Sequence, residues 1–393
     1  SDLMEATKAG RQDEIPTVIE YIFAHYKLLV YCSMKLLNEG KGDKALIPLL
    51  TMKKIHDQNF LLFFQLQYLF GRALYLTGDY ETAAKIFYRY EEARYEQWGD
   101  FDELSLFYRA NCLAMLGDFK LATELYERIL TIKANFPEAK KNLNLVQKGV
   151  NKNLVREVKS LWKFSSWREV PIFINARDRV GVLKKLVDWL LNAGYRNLII
   201  LDNASTYPPL LEYYNRLEYR GGHIKVVRLE KNLGYKALWL SGILEQMKIS
   251  TPYVYTDPDV LPIERCPKDF VKRLMKILDS NHEIRKVGLG LVWEDITFFD
   301  KEDTQQHERE FYLGTEVSKS VFYANVDTTF ALYSNTRHYS LRLSLRTAGD
   351  LMAYHLPWYF DYDNLPEDEK YYMEHANKNS VTSLIEYFNA PTS

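Results

Sequence analysis

Near Trp167 the hydrophobic pattern of this chain changes period, and that change limits its architecture more than any other feature. Up to about Val158 apolar residues recur at spacings of three and four without strand-like alternation, as helices burying one face each require. Beyond Trp167 short apolar runs alternate with helix-like segments. Val170-Pro171-Ile172-Phe173-Ile174 reads as a strand, and Val182, Leu183, Leu186, Val187, Leu190 and Leu191 then mark one helix face that stops at Gly194. Leu198-Ile199-Ile200-Leu201 is a second strand, followed by a helix through Tyr213 to Leu217. Ile224 to Leu229 is a third, a helix runs from about Tyr235 to Met247, and Tyr253-Val254-Tyr255 is a fourth. At 393 residues the chain is too long for one ordinary core. The expectation is an all-helical domain over residues 1–164 and an α/β domain over 165–393. Its sheet should be mostly parallel and covered on both faces, with ligands at the carboxyl ends of its strands.

Within the helical half one pattern occurs twice. Leu76-Thr77-Gly78-Asp79-Tyr80 is followed by Ala83 and Phe87, and Leu116-Gly117-Asp118-Phe119 by Ala122 and Tyr126. The glycines permit a tight helix turn, and the alanines let paired helices approach closely. This order resembles the tetratricopeptide repeat. The step from Gly78 to Gly117 exceeds that repeat's period of about 34 residues, so an insertion is expected near Gln97-Trp98-Gly99-Asp100. Helices at about Ile15 to Glu39 and Lys44 to His56 are expected to form a degenerate repeat or cap, and a final helix to run from Pro137 to Ser160. The resemblance implies a partner held by the repeats, whether a protein, a glycan or another member of an assembly.

Composition narrows the function classes. The 51 Lys and Arg residues balance 52 Asp and Glu, a net charge of -1, which lacks the basic footprint of a nucleic-acid binder. Aromatic residues make up 14% of the chain, which suits carbohydrate contacts but suits the packing of helical hairpins better. Cys32, Cys112 and Cys266 are odd in number and far apart, against a disulfide framework or zinc cluster and in favour of a reducing, cytoplasmic compartment. No apolar run approaches the roughly 18 residues of a membrane span, and no basic-then-apolar leader opens the chain. A soluble protein without a membrane span is expected, with peripheral membrane contact left open.

The chemistry should sit at the strand ends. The first strand ends in Asn175-Ala176-Arg177-Asp178-Arg179, which is neither the Gly-rich turn of a dinucleotide fold nor a phosphate-binding P-loop. Ala176 and Arg177 are candidates to line a nucleotide site; the bland account of Arg177 is a solvated pair with Asp178. The second strand ends in Asp202-Asn203-Ala204-Ser205, polar groups able to bond a base or ribose, and also ordinary turn formers. The third ends in Lys231-Asn232-Leu233-Gly234-Tyr235-Lys236, where Gly234 admits a close ligand or Asn232 merely caps a helix. The strongest signal is Asp257-Pro258-Asp259, directly after the fourth strand. Carboxylates two apart in extended backbone point to one side, Pro258 stiffens the segment, and together they can hold a hard divalent cation that also binds phosphate oxygens. Alone, Asp-Pro-Asp is more often a turn.

In this order and spacing the segments resemble the GT-A fold glycosyltransferases, especially the family 2 type, over about Val170 to Tyr372. The resemblance implies a GT-A α/β domain behind the tetratricopeptide-like one. It implies that Asp202 or Asn203 contacts the nucleotide base, that Asn232, Gly234 and Lys236 line the donor site, and that Asp257 and Asp259 bind Mn²⁺ or Mg²⁺. Family members often add a C-terminal His as a metal or phosphate ligand. His355, in Tyr354-His355-Leu356-Pro357-Trp358-Tyr359, is the candidate, in what looks like a lid element. Trp358 either stacks on a sugar or anchors that segment. The implied activity is inverting transfer of a hexose from a nucleotide-sugar donor, UDP by family habit, to a glycan, protein or lipid-linked acceptor. A general base is then needed. Asp327 is preferred over Glu294 and Asp295, which follow the strand Val287 to Val292, because it precedes the apolar run Phe330 to Tyr333. The family's acidic pair near a helix start is not recognisable, which leaves retention open. Lys301 to Lys319 reads as a mobile acceptor loop or a solvated insertion, and Glu367-Asp368-Glu369 as a charged surface turn. The rival functions are a catalytically inactive scaffold and a sugar nucleotidyltransferase; the latter would normally show a Gly-rich opening.

Overall fold

The computed structural model describes residues 28–55, 64–158, 166–220, 222–281, 284–297, 301–314, 316–334, 336–341 and 343–376. They form two compact units that divide between residues 158 and 166, with Asp279–Glu283 and Gly314–Val317 grouped with the first.

The N-terminal unit is helical. Its helices are residues 28–38, Gly42–Ile55, Phe64–Thr77, Tyr80–Trp98, Glu103–Met115, Phe119–Ile132 and Pro137–Val146. Most of the expected helix from Ile15 lies outside the described residues. The twice-occurring Gly-Asp-aromatic motif is a helix stop followed by a helix start. Gly78 and Gly117 take left-handed backbone (φ +89° and +87°), and the Asp79 and Asp118 carboxylates accept from the Thr82 and Leu121 N–H groups at 3.1 Å. The extra length between the motifs lies in Tyr80–Trp98, which has 19 residues against 14 in Phe119–Ile132. The final helix stops at Val146 instead of reaching Ser160. Asn142 bonds both the N–H and the C=O of Val155 (2.7 and 2.8 Å), and Asn111 donates to the Val155 carbonyl at 3.1 Å, so the chain after Gly149 is held in non-helical form. Tyrosines fill the core here: Tyr108 and Tyr126 are fully buried beside Phe87 and Phe107.

The second unit is built on a mixed sheet. Its strands are β1 Ile172–Ala176, β2 Leu198–Asp202, β3 Ile224–Arg228, β4 Tyr253–Thr256, β5 Val260–Pro262, β6 Lys286–Gly288, β7 Gly290–Leu291, β8 Glu316–Ser318, β9 Val321–Tyr323, β10 Ala331–Tyr333, β11 Ser344–Thr347 and β12 Met352–His355. Nine strands run in the order β3-β2-β1-β4-β10-β6-β11-β9-β8, and β5-β12-β7 form a small second sheet. The block β3-β2-β1-β4 is parallel, as expected. The rest is mixed: β10 lies antiparallel to both β4 and β6, β11 parallel to β6 and antiparallel to β9. Parallel neighbours need long crossovers, whereas the C-terminal strands are short and joined mostly by brief non-helical segments that suit antiparallel pairing.

Helix Val180–Asn192 buries Val182, Leu183, Leu186, Val187 and Leu190 of the face its periodicity marks, while Leu191, read onto the same face, is exposed. Other expected elements are broken at glycines. The helix Tyr235 to Met247 is a 3₁₀ turn, Gly234–Lys236, and two short helices, Ala237–Leu240 and Ile243–Gln246, interrupted where Gly242 turns left-handed (φ +68°). The single strand Val287 to Val292 is divided between the two sheets as β6 and β7. A Cβ on Gly290 would run into the Thr347 carbonyl oxygen and the Tyr312 hydroxyl. The segment after Lys301 is not a loop but a helix, Lys301–Glu310, anchored by buried Glu308 on Arg346. Glu367-Asp368-Glu369 is not a surface turn either. It opens helix Glu367–His375, with Asp368 and Glu369 buried and each given a polar partner, the Gly181 N–H in the first turn of helix Val180–Asn192 and Arg179 on the loop after β1.

Candidate active site

Strand order places a crevice at the carboxyl ends of β1 and β4. From β1 the chain builds outward through β2 to β3, then returns to add β4 on β1's other side, and ligands of open α/β sheets bind where the order reverses. Ile174 pairs with Thr256, so the residues after β1 and after β4 leave the sheet side by side.

The loops after β1, β2 and β3 are stitched together. Asn203 receives the Leu233 N–H (2.7 Å) and donates to the Gly234 carbonyl (3.0 Å), to which Asn175 also donates (3.3 Å). Asn232 accepts from the Gly234 N–H at 2.9 Å. The Ala176 carbonyl accepts from the Asn203 N–H at 2.8 Å, and Arg177 donates to the carbonyls of Asn203 and Ala204. Asp202 accepts from the Ser205 N–H, and burial raises its carboxyl above the ordinary aspartate value. These residues are brought together, but Asp202 and Asn203 are buried and bonded to the loops they shape, and Arg177 is spent on the β2 loop. Lys236 stands apart from that network, its Nζ 5.3 Å from the Tyr235 ring centre and 5.6 Å from that of Tyr339.

After β4 the Asp257-Pro258-Asp259 segment turns instead of staying extended, and β5 starts at Val260. Asp257 accepts from the Thr328 hydroxyl at 2.7 Å, a contact available because β10 runs antiparallel beside β4. Burial and the neighbouring Asp259 charge push the Asp257 carboxyl well up, while Asp259 stays below the ordinary aspartate value because Arg179 and His355 outweigh its burial. Arg179 donates to Asp259 Oδ2 and, through Nε, to both carboxylate oxygens of Glu369 (2.9 and 2.8 Å). His355 arrives by strand pairing: it sits opposite Val260 in the β12–β5 ladder, with Nε2 3.7 Å from Asp259 Oδ2. Burial holds its imidazole below the ordinary histidine value despite the Asp259 charge. The Trp358 ring packs edge-on against His355 at 4.8 Å, and the Trp358 carbonyl accepts from the Thr297 N–H.

The structure thus sets His355 beside Asp259, two residues along from Asp257. Asp327 stands beside Thr328, exposed, and accepts from the Tyr339 hydroxyl and the Thr328 N–H. Glu294 and Asp295 are exposed; Asp295 accepts from the Tyr359 hydroxyl at 2.8 Å, on the turn that follows His355. Sequence reasoning missed Arg179, Thr328 and Glu369. Arg179 lay in a run already singled out; Glu369 lay in an acidic triplet with no local sign of its partner.

The carboxylate oxygens of Asp257 and Asp259 are of the kind a hard divalent cation takes. Asp259 Oδ1 and His355 Nδ1 are buried without a hydrogen-bond partner. Mg²⁺ and similar ions take one or two carboxylates and complete their shell with substrate phosphates and water. Among the described residues no group of three or more His, Cys, Asp or Glu could hold a metal ion, so phosphate oxygens would have to contribute.

No family model matches the chain, and no curated protein matches it significantly. Solved structures do match, among them a mutant Thermobaculum terrenum O-GlcNAc transferase, at 12% identity and a TM-score of 0.27. The match covers 56% of this chain and 44% of that one. A likeness this slight assigns neither fold nor activity. Among the described residues no helix is long and apolar enough to cross a membrane.

Proposed function

We propose that this chain is a metal-dependent glycosyltransferase, moving a hexose from a nucleotide-sugar donor, UDP-linked by preference, to a hydroxyl of a glycan, protein or lipid-linked acceptor. One observation carries the reading: a carboxylate pair at the end of β4, in the β1/β4 crevice, with Asp259 Oδ1 buried and unpartnered while its Oδ2 faces Arg179 and His355. Asp257 and Asp259 are the residues that would hold Mn²⁺ or Mg²⁺, with phosphate oxygens of the donor completing the set and His355 beside Asp259. When bound, the cation supplies positive charge to the diphosphate that departs from the sugar. The stitched loops around Asn203, Asn232 and Gly234 shape the nucleotide's side of the crevice and keep it rigid before the donor arrives. Asp327 is the base: its carboxylate takes the proton of the acceptor hydroxyl as that oxygen bonds to the anomeric carbon and the nucleoside diphosphate leaves. Tyr339 and the Thr328 N–H orient the carboxylate through hydrogen bonds.

Calorimetric titration with UDP, GDP, dTDP and CMP, each with and without Mn²⁺, tests the reading. Metal-dependent binding of one nucleotide is expected, abolished in Asp257→Ala/Asp259→Ala. Failure of all four to bind would favour a scaffold without catalysis.

A further inference from the structure

The helix Glu367–His375 touches two loops of the candidate site and reaches a third through Arg179. The Asp368 carboxylate accepts from the Gly181 N–H at 2.6 Å, just past the loop after β1. The Tyr371 hydroxyl lies 3.0 Å from the Thr206 hydroxyl and its ring 4.8 Å from that of Tyr207, both in the loop after β2. Glu369 and Tyr372 enclose Arg179, whose guanidinium carbon is 5.0 Å from the Tyr372 ring centre, and Arg179 reaches Asp259 after β4.

The charges in this chain of contacts are arranged unequally. One buried guanidinium is shared by two buried carboxylates, Asp259 and Glu369. Glu369 takes Nε with both of its oxygens, whereas Asp259 gives Arg179 only Oδ2 and keeps Oδ1 without a hydrogen-bond partner. An arginine facing Asp259 alone would set its whole charge against any cation arriving there, in a setting where water screens little. Glu369 balances that charge and fixes the direction of the guanidinium fork.

We infer that Glu369 is a positioning residue of the cation site, acting through Arg179 to leave Asp259 Oδ1 free as a ligand. The inference rests on the reading of Asp257 and Asp259 as cation ligands. It assigns the C-terminal helix to the site itself: Asp368 and Tyr371 hold the nucleotide loops while Glu369 sets the electrostatics of the carboxylate pair.

The test is Mn²⁺ binding to the full chain, followed by loss of the free-ion electron paramagnetic resonance signal. Wild type should bind Mn²⁺ and Asp257→Ala/Asp259→Ala should not. Glu369→Gln, nearly the same shape, should weaken Mn²⁺ binding about 10- to 100-fold, the usual cost of losing an outer-shell partner. Arg179→Met/Glu369→Gln removes the uncompensated charge together with its partner and should bind Mn²⁺ more tightly than Glu369→Gln alone. A merely structural role for Glu369 would make the double variant no better than the single one. Wild-type affinity in Glu369→Gln, or a double variant no tighter than the single, overturns the inference while leaving the carboxylate pair as cation ligands. Equal Mn²⁺ binding by wild type and Asp257→Ala/Asp259→Ala, or none by either, overturns both.

Discussion

Lys286 is a buried charge that the fold carries at a cost. It is 1% exposed on β6, its Nζ has no hydrogen-bond partner, and it lies 5.2 Å from the ring centres of both Tyr333 and Tyr339. Burial pushes its ammonium down to about 7, with Asp327 opposing the shift. Between that value and the ordinary lysine value the unfolded chain binds a proton that the folded chain has lost, so stability rises with pH across this window. Below it the cost of the buried charge is fully present. Lys286→Met should therefore raise stability by about 1 to 3 kcal/mol at neutral pH, the usual cost of a buried unsatisfied group, and flatten the rise between pH 7 and 10. Urea unfolding at several pH values measures both; an unchanged pH slope would refute the assignment. At this scale the sequence was legible where chemistry is local. Asp257 and Asp259 announce themselves because they are neighbours following an apolar strand. Glu369 does not, because its partner Arg179 lies 190 positions away and only folding joins them.

Among the elements, periodicity was a good guide where a segment buries one uninterrupted face, as in Val180–Asn192 and the four parallel strands. It failed where backbone geometry overrode it. Gly242 interrupts an apolar pattern that otherwise reads as one helix, and Gly288 and Gly290 let one apolar run serve two sheets. It failed again in Lys301–Glu310, whose polar sequence has no apolar stripe and docks through one buried ion pair, Glu308 with Arg346. Gly290 provides the sharpest check. Gly290→Ala inserts a methyl group against the Thr347 carbonyl and the Tyr312 hydroxyl, and overpacking of this kind costs about 1 to 3 kcal/mol. A lowered urea midpoint is expected, and wild-type stability would mean that β7 and β11 separate easily.

For the molecule as a whole, the change of period near Trp167 marks both an all-helical unit and an α/β unit. Beyond β4, only Val287 to Val292 and the run Phe330 to Tyr333 stood out in the sequence; β8 and β9 did not, because strands of three residues carry too little alternation to separate them from loops. The candidate site draws its contacts from the α/β unit. A core change in the helical unit should then alter stability without altering the site. Asn111 is suited to this: it is buried, accepts from Tyr126 and Asn142, and donates to Tyr75 and to the Val155 carbonyl. Asn111→Ala should cost about 1 to 3 kcal/mol, seen as a lower thermal midpoint, and leave metal-dependent nucleotide binding at wild-type strength. Weakened binding would show that the site depends on the helical unit. The docking of Glu369 on Arg179 also orders events during synthesis. All four parallel strands and the carboxylate pair leave the ribosome well before residue 369 does, so a nascent chain displays the parallel crevice without the anion that balances Arg179. On the proposed reading, a ribosome stalled before that point carries a cation site that holds its ion more weakly than it does once residue 369 has emerged.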